Sequence, residues 1–372
     1  YPQNQKKIVE TMKIDAIKTQ IVEIPFDKTI TTAIHTMRSV GCLLLTIETD
    51  EGISGEGYLF SLNAANIKIY NQRLTQIASL LVGQDPLSIT SLLQKINHTI
   101  NSKARDGIGI SVLSTLDTAL WDINGKSSNL PLHRLFGIHR TKIKTYASGG
   151  LWLSQSIDSI VDEAQKFLNQ GFLAMKIRVG SGDNAMDIER VREVRKAIGQ
   201  EIELMADVNQ GLNTDDAIHL GKALEEYDLV WLEEPVKAND YKGHAQVKEQ
   251  VSVPIASCEN EYSIKGVHEM LKAKGCDIVM PDLQRIGGIS EMRATAQLAN
   301  SFNVPISTHI FTEQSLCVAG SVENCISVEH MPWFSELFNE QIDIIDGYIM
   351  IPERPGTGFT FNKGALKQFN IQ

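Results

Sequence analysis

The sequence predicts an α/β protein, a (β/α) barrel behind a separate amino-terminal α+β domain, and three observations lead there. Seven side chains suited to catalysis or metal binding, Lys176, Asp207, Glu233, Glu259, Asp282, His309 and Glu329, each follow a short apolar run. Their spacing of roughly 20–30 residues is that of one strand, loop, helix and return loop. Amphipathic stretches alternate with the apolar runs, which selects a parallel sheet. The chain of 372 residues is also too long for most single cores, so about two domains are expected.

In chain order, residues 14–25 and 42–49 read as strands, 52–57 as a turn, and 66–81 and 111–125 as helices. Residues 28–40, between the two strands, are Thr-rich and carry His35 and Arg38. They read either as a mobile specificity loop or as an ordinary hairpin connection, and the residues alone favour the latter. Barrel strands follow at 173–179, 203–207, 228–233, 253–257, 277–280, 304–307 and 325–329, apolar as strands buried on both faces are. Between them, stretches such as 187–198 repeat apolar residues at helical spacing. Residues 1–139 are expected to form the first domain, 140–345 the barrel, and 346–372 a segment returning to the first domain.

A formal charge of −10 and a pI near 5.4, with no Lys/Arg run, argue against nucleic-acid and anionic-membrane partners. No apolar stretch reaches the roughly 18 residues of a membrane span, and residues 1–13 lack the apolar core of a signal peptide. A soluble, cytoplasmic protein is expected. The chain begins at Tyr1 rather than Met, so a removed leader or an appended segment before Met12 stays open. Its 5 cysteines, odd in number and without Cys-x-x-Cys spacing, do not suggest a disulfide scaffold or a structural zinc site. Cys258 adjoins Glu259, but strand alternation points the two apart and leaves Cys258 as a buried thiol.

Asp207, Glu233 and Glu259 end three successive strands, so their carboxylates would share one mouth and repel one another without a cation. Hard oxygen donors favour Mg2+, with Mn2+ as the alternative. Asn209 shares the face of Asp207 if the strand persists, where it can donate to substrate or to a ligand carboxylate. Glu234 should point away from the mouth and serve a structural pairing, and Asn260 and Glu261 remain loop or supporting residues. Asp282 and His309, on neighbouring strands, form a base and its orienter. Lys176 and Arg178 face the same way and suit an anionic substrate. Glu329 can serve as a protonated acid toward the substrate carboxylate if its pKa is raised; its structural alternative is a salt bridge to Lys176. These parts describe proton abstraction next to a carboxylate, with the enolate charge spread over metal, Lys176 and Glu329.

The motifs Met175-Lys-Ile-Arg178, Asp207-Val-Asn-Gln210, Trp231-Leu-Glu-Glu-Pro235, Glu259-Asn260, Met280-Pro-Asp282 with Ile286-Gly-Gly288, Ser307-Thr-His-Ile-Phe311 and Glu329 resemble the enolase superfamily. The likeness is specifically to its mandelate racemase subgroup and runs from about Lys13 to Phe361. It implies a modified TIM barrel, (β/α)7β-like, with an N-terminal α+β capping domain that closes the mouth and helps choose the substrate. It also implies Mg2+ on Asp207, Glu233 and Glu259, His309 with Asp282 as the base, Glu329 as the acid, and a homo-oligomer between dimer and octamer. Thr32, Ile34 and residues 57–60 resemble that subgroup's capping elements. Ser148 occupies a position whose hydroxyl contacts the substrate carboxylate, with a strand-end cap as its structural alternative.

One position departs from the pattern. The subgroup's Lys-x-Lys, whose second lysine is a base, is here Lys176-Ile-Arg178. An arginine pKa above about 12 makes a poor base. A racemase needs an acid–base group on each face of the carbon, whereas a dehydratase manages with one. The leading expectation is therefore dehydration of an acid sugar to a 2-keto-3-deoxy product, from a polyol carboxylate or a diacid held by His35 and Arg38. The alternatives are a racemase or epimerase of a 2-hydroxy acid, and a non-catalytic binding protein on the same barrel.

Overall fold

Residues 11–100 and 107–371 are described by the computed structural model; residues 1–10, where the open question of a leader falls, lie outside them. Strands β1 (Ile14–Thr31), β2 (Thr36–Thr49) and β3 (Ser54–Leu62) form an antiparallel sheet in that order. The central strand is apolar on both faces because both are covered. Leu43, Leu45 and Ile47 pack toward helices α1 (Ile67–Ala78), α2 (Ile89–Ile100) and α3 (Ile108–Ser127), while Val40, Cys42 and Leu44 join the barrel-side core. Two expectations change here. The span 28–40 is mostly strand, with only residues 32–35 connecting β1 to β2. The turn at 52–57 ends early, since Gly55 and Gly57 lie in β3, where α3 packs so close that a Cβ would strike the carbonyls of Ala119 and Thr115.

After the short helix α4 (Leu132–Leu135), the barrel runs β4 (Lys142–Ala147), α5 (Ile157–Asn169), β5 (Ala174–Arg178), α6 (Asn184–Ile198), β6 (Glu203–Asp207), α7 (Thr214–Leu224), β7 (Leu229–Glu233), α8 (Tyr241–Gln250) and β8 (Ile255–Ser257). It continues through α9 (Ile264–Lys272), β9 (Ile278–Val279), α10 (Leu283–Ile286), α11 (Ile289–Ser301), β10 (Ile306–Thr308), α12 (Thr312–Ala319) and β11 (Cys325–His330). Parallel pairing of Val328 with Thr145 closes β11 onto β4, giving the (β/α)7β barrel with its capping domain. Ser156, Asp183, Asn213 and Asp240 cap α5 to α8 through side-chain oxygens, starting each helix soon after its strand. Tyr146, Met205, Trp231, Ala256, Ile278 and Met280 fill the lumen, so the mouth stands on a packed floor.

The last segment does more than return to the cap. Strand β12 (Tyr348–Met350) first pairs antiparallel with the start of β4. After helix α13 (Lys363–Gln368), the Phe369 carbonyl accepts the Glu23 N–H of β1. The cap is also joined to the barrel through Gln284, whose side chain accepts from Phe60 N–H and donates to Phe60 O, and through Asp117, which accepts from Ser290 N–H at 2.9 Å.

Candidate active site

The carboxyl ends of the barrel strands and the first cap hairpin line a cavity of about 70 Å3. His309 follows β10, and its backbone pairs with that of Asp282 as an isolated bridge. This register brings His309 Nδ1 to 2.7 Å from Asp282 Oδ2, while Nε2 faces the cavity 3.3 Å from Glu259 Oε2. Burial pushes the imidazole pKa down, but Glu259, Glu329 and Asp282 outweigh that and hold it up at about 9. Nδ1 donates to Asp282, leaving Nε2 for a proton.

Lys176 sits within β5 rather than at its end and is 1% exposed. Its Nζ lies 2.7 Å from Glu233 Oε1, 2.9 Å from Glu329 Oε1 and 3.4 Å from Asp207 Oδ2. Burial opposes the ammonium, yet these three carboxylates hold its pKa well above the usual lysine value. Glu233 is pushed by burial up to about 8, against the pull of Lys176 and with Asp207 and Glu259 adding to the rise. Burial and the neighbouring carboxylates together outweigh the single ammonium beside it. Asp207, Glu233 and Glu259 are buried, and residues of β6, β7 and β8 pair in register beside them. Their all-oxygen donor set suits a hard divalent cation in kind. Among the described residues no three acidic, His or Cys side chains are preassembled around one point; Lys176 stands between Glu233 and Asp207.

Glu329 differs from its expected role as a protonated acid. Burial alone would raise its pKa, but Lys176, His309, Arg178 and the Ser148 hydroxyl together hold the carboxyl well below its usual range. It is an ionised anchor, accepting from Ser148 Oγ at 2.5 Å and from Ile310 N–H at 2.7 Å. Ile310 adopts φ 43°, a left-handed conformation costly for a β-branched residue, and that geometry aims its N–H at Glu329.

Arg178 is held at both terminal nitrogens, while its Nε, 3.7 Å from Asp207 Oδ2, makes no hydrogen bond among the described residues. Its Nη1 donates to Ser148 O at 2.7 Å, its Nη2 to Ser148 Oγ at 2.9 Å, and the guanidinium lies 4.1 Å over the Trp152 ring. Ser148 is completely buried and does not reach the cavity, a correction to its expected substrate contact. Its hydroxyl instead links Arg178 to Glu329.

Other placements follow backbone turns that strand alternation does not foresee. Asn209 has φ 47° yet lines the cavity and donates through Nδ2 to Asp207 Oδ2 at 3.0 Å. Glu234, expected to point away, is turned into the cavity by φ 40° just past β7, and both its oxygens accept from Asn260. Thr32, Ile34 and His35 line the cap side, the Thr32 hydroxyl accepting from His35 N–H at 3.1 Å to hold the turn. Burial and Arg285 hold His35 below its ordinary pKa. Arg38 points to solvent, because β2 begins at Thr36 and its pleat turns Met37 inward instead. The sequence reading missed Arg285, whose Nη1 donates to Glu259 O at 3.1 Å and whose N–H caps onto Asp282 Oδ1 at 2.8 Å. Its position three residues after Asp282, one helical turn on, was the available signal.

Comparisons with known proteins agree with this geometry. Residues 16–137 match the mandelate racemase / muconate lactonizing enzyme N-terminal domain, and residues 159–365 the enolase C-terminal domain-like family. The L-talarate/galactarate dehydratase of Salmonella typhimurium is 32% identical over 89% of this chain and 83% of its own length. The arabinonate dehydratase of Saccharolobus solfataricus is 27% identical over 88% of this chain and 90% of its own. Among solved structures, a variant L-talarate/galactarate dehydratase holding Mg and L-glucarate superposes with TM-score 0.95 at 29% identity, over 100% of this chain and 95% of that one. The L-talarate dehydratase of Polaromonas sp. JS666, also with Mg and L-glucarate, gives 0.90 at 31% identity, covering 97% and 98%.

Proposed function

The chain belongs to the mandelate racemase/muconate lactonizing enzyme family of the enolase superfamily, and on that premise we propose a Mg2+-dependent acid-sugar dehydratase. It is a carbon–oxygen lyase that removes the proton α to a carboxylate and expels the β-hydroxyl as water. The carrying observation is that the mouth holds one available base. His309 presents Nε2 to the cavity behind an Asp282-bound Nδ1, whereas Arg178 spends its terminal nitrogens on Ser148.

Asp207, Glu233 and Glu259 would hold Mg2+, which when bound neutralises their charge and polarises the substrate carboxylate. Lys176, kept charged by its neighbours, donates to a carboxylate oxygen as the enolate charge grows. Glu329 and Ser148 fix Lys176 and Arg178 in place. His309 Nε2 takes the α-proton, and the C–H electron pair becomes a carbon–carbon π bond as the β C–O bond breaks. His309 then returns its proton to the departing hydroxyl, which leaves as water, and the enol tautomerises to the 2-keto-3-deoxy acid. Asn209, Thr32, Ile34 and His35 line the space left for the substrate.

We place the protein in the cytoplasm as a homo-oligomer between dimer and octamer. The five cysteines are all buried and free, as suits a reducing compartment, and among the described residues no helix is long and apolar enough to cross a membrane. Light scattering after gel filtration tests the assembly. The activity is tested with a stereochemically complete acid-sugar library, Mg2+ and D2O. Keto product from one or a few acids is expected; α-deuteration with inversion and no keto product would make the protein a racemase instead.

A further inference from the structure

We infer that the substrate is a monocarboxylic acid sugar with an uncharged far end, because each lysine and arginine lining the cavity already lies within 4 Å of one of the site's own carboxylates and the remaining wall is apolar. The inference rests on the dehydratase reading and narrows it.

The cations lining the cavity are already bound. Lys176 contacts three carboxylates, Arg178 is held by Ser148 and stacked on Trp152, and Arg285 is drawn to Glu259, its Nη1 also lying 3.5 Å from Glu259 Oε1. Asp207, Glu234, Glu259 and Glu329 line the same space and are the partners those cations already hold or face. Arg38 of the hairpin is exposed and does not line the cavity. On the cap side His35 is the sole ring with polar atoms, suited to a hydroxyl.

The remaining wall is built from Met37, Phe60 and Leu62 of the cap with Trp152, Met331 and Trp333 of the barrel. The two indoles stack at 17° and 6.0 Å between centroids and contribute apolar ring surface to this wall. A terminal CH2OH can place its methylene there and its hydroxyl at His35, and a terminal methyl packs directly. A terminal carboxylate would be desolvated without a partner, which is costly. This sets the chain apart from its talarate and galactarate relative, whose named substrates carry a carboxylate at both ends.

The test measures kcat/KM of the Mg2+-loaded protein on stereochemically complete sets of five- and six-carbon aldonates, their terminally deoxy analogues and aldarates, with α-deuteration followed in D2O. The best aldonate or deoxyaldonate should exceed the best aldarate at least about 100-fold. An aldarate within tenfold of the best monoacid overturns the inference and leaves the dehydratase reading standing. No keto product from any set overturns that reading, and the inference with it. Leu62→Arg, at a half-buried strand end, supplies the missing cation and should raise the aldarate-to-aldonate ratio at least tenfold, chiefly through KM. An unchanged ratio in the folded variant counts against the inference.

Discussion

His309 and Arg178 both present nitrogen to the same mouth, and their surroundings give them opposite capacities. His309 has one nitrogen tied to Asp282 and the other facing the cavity, 3.3 Å from Glu259 Oε2, so it is oriented with a nitrogen still turned toward substrate. Arg178 is tied at both terminal nitrogens to Ser148 and stacked on Trp152, so it organises the end of β4 without being able to accept a proton. A side chain at a catalytic position is thus chemically active only if its neighbours leave an atom unspent.

The strongest way to break this comparison is His309→Asn. Keto-product formation should fall about 10³- to 10⁴-fold, while calorimetry finds Mg2+ affinity within a few-fold of the parent; residual turnover within tenfold would mean that another base operates. Asp282→Asn keeps the ring but removes the charge that orients it, and a loss of about 10²-fold in kcat is expected, with KM little changed. Arg178→Lys sharpens the other side. Dehydration should drop no more than about tenfold, and an amine able to deprotonate should introduce α-epimerisation detectable by NMR in D2O; a drop beyond 10³-fold in folded protein would put Arg178 in the chemistry itself.

The smallest effect is in stability. With its folded pKa raised to about 9 from an unfolded value near 6.5, His309 in metal-free protein contributes stability that is full below the unfolded value and lost as pH rises through the folded one. The Tm difference between the parent and His309→Asn should therefore shrink between about pH 6.5 and 9, as read by scanning calorimetry. Mg2+ should move that window to lower pH by offsetting the Glu259 charge. A pH-independent difference would contradict the ion-pair account.

Legibility in the sequence follows the range of the interactions. Lys176, Asp207, Glu233 and Glu259 were readable as one set because each follows a short apolar run, and the return to a common mouth is a property of the barrel. Residues one step past a strand were not. Glu234 turns inward at φ 40° and Asn209 keeps its place at φ 47°, both where the pleat that supports alternation has ended. Along the hairpin the connection was read as too long. Strand β2 starts at Thr36, earlier than its apolar run suggests, and its pleat turns Met37 rather than Arg38 toward the cavity.

The barrel, its cap and the strand-end positions of the candidate metal-binding and basic side chains were legible in the sequence, because periodicity and spacing are local properties that the backbone converts directly into position. Only the tertiary structure decided what those side chains can do. Glu329 is ion-paired to Lys176 and accepts from Ser148 and Ile310, Ser148 is sealed beneath the mouth, and the far wall is apolar. Each of these depends on the summed field or the exact pleat of strands distant in sequence, and burial and charge add across space rather than along the chain.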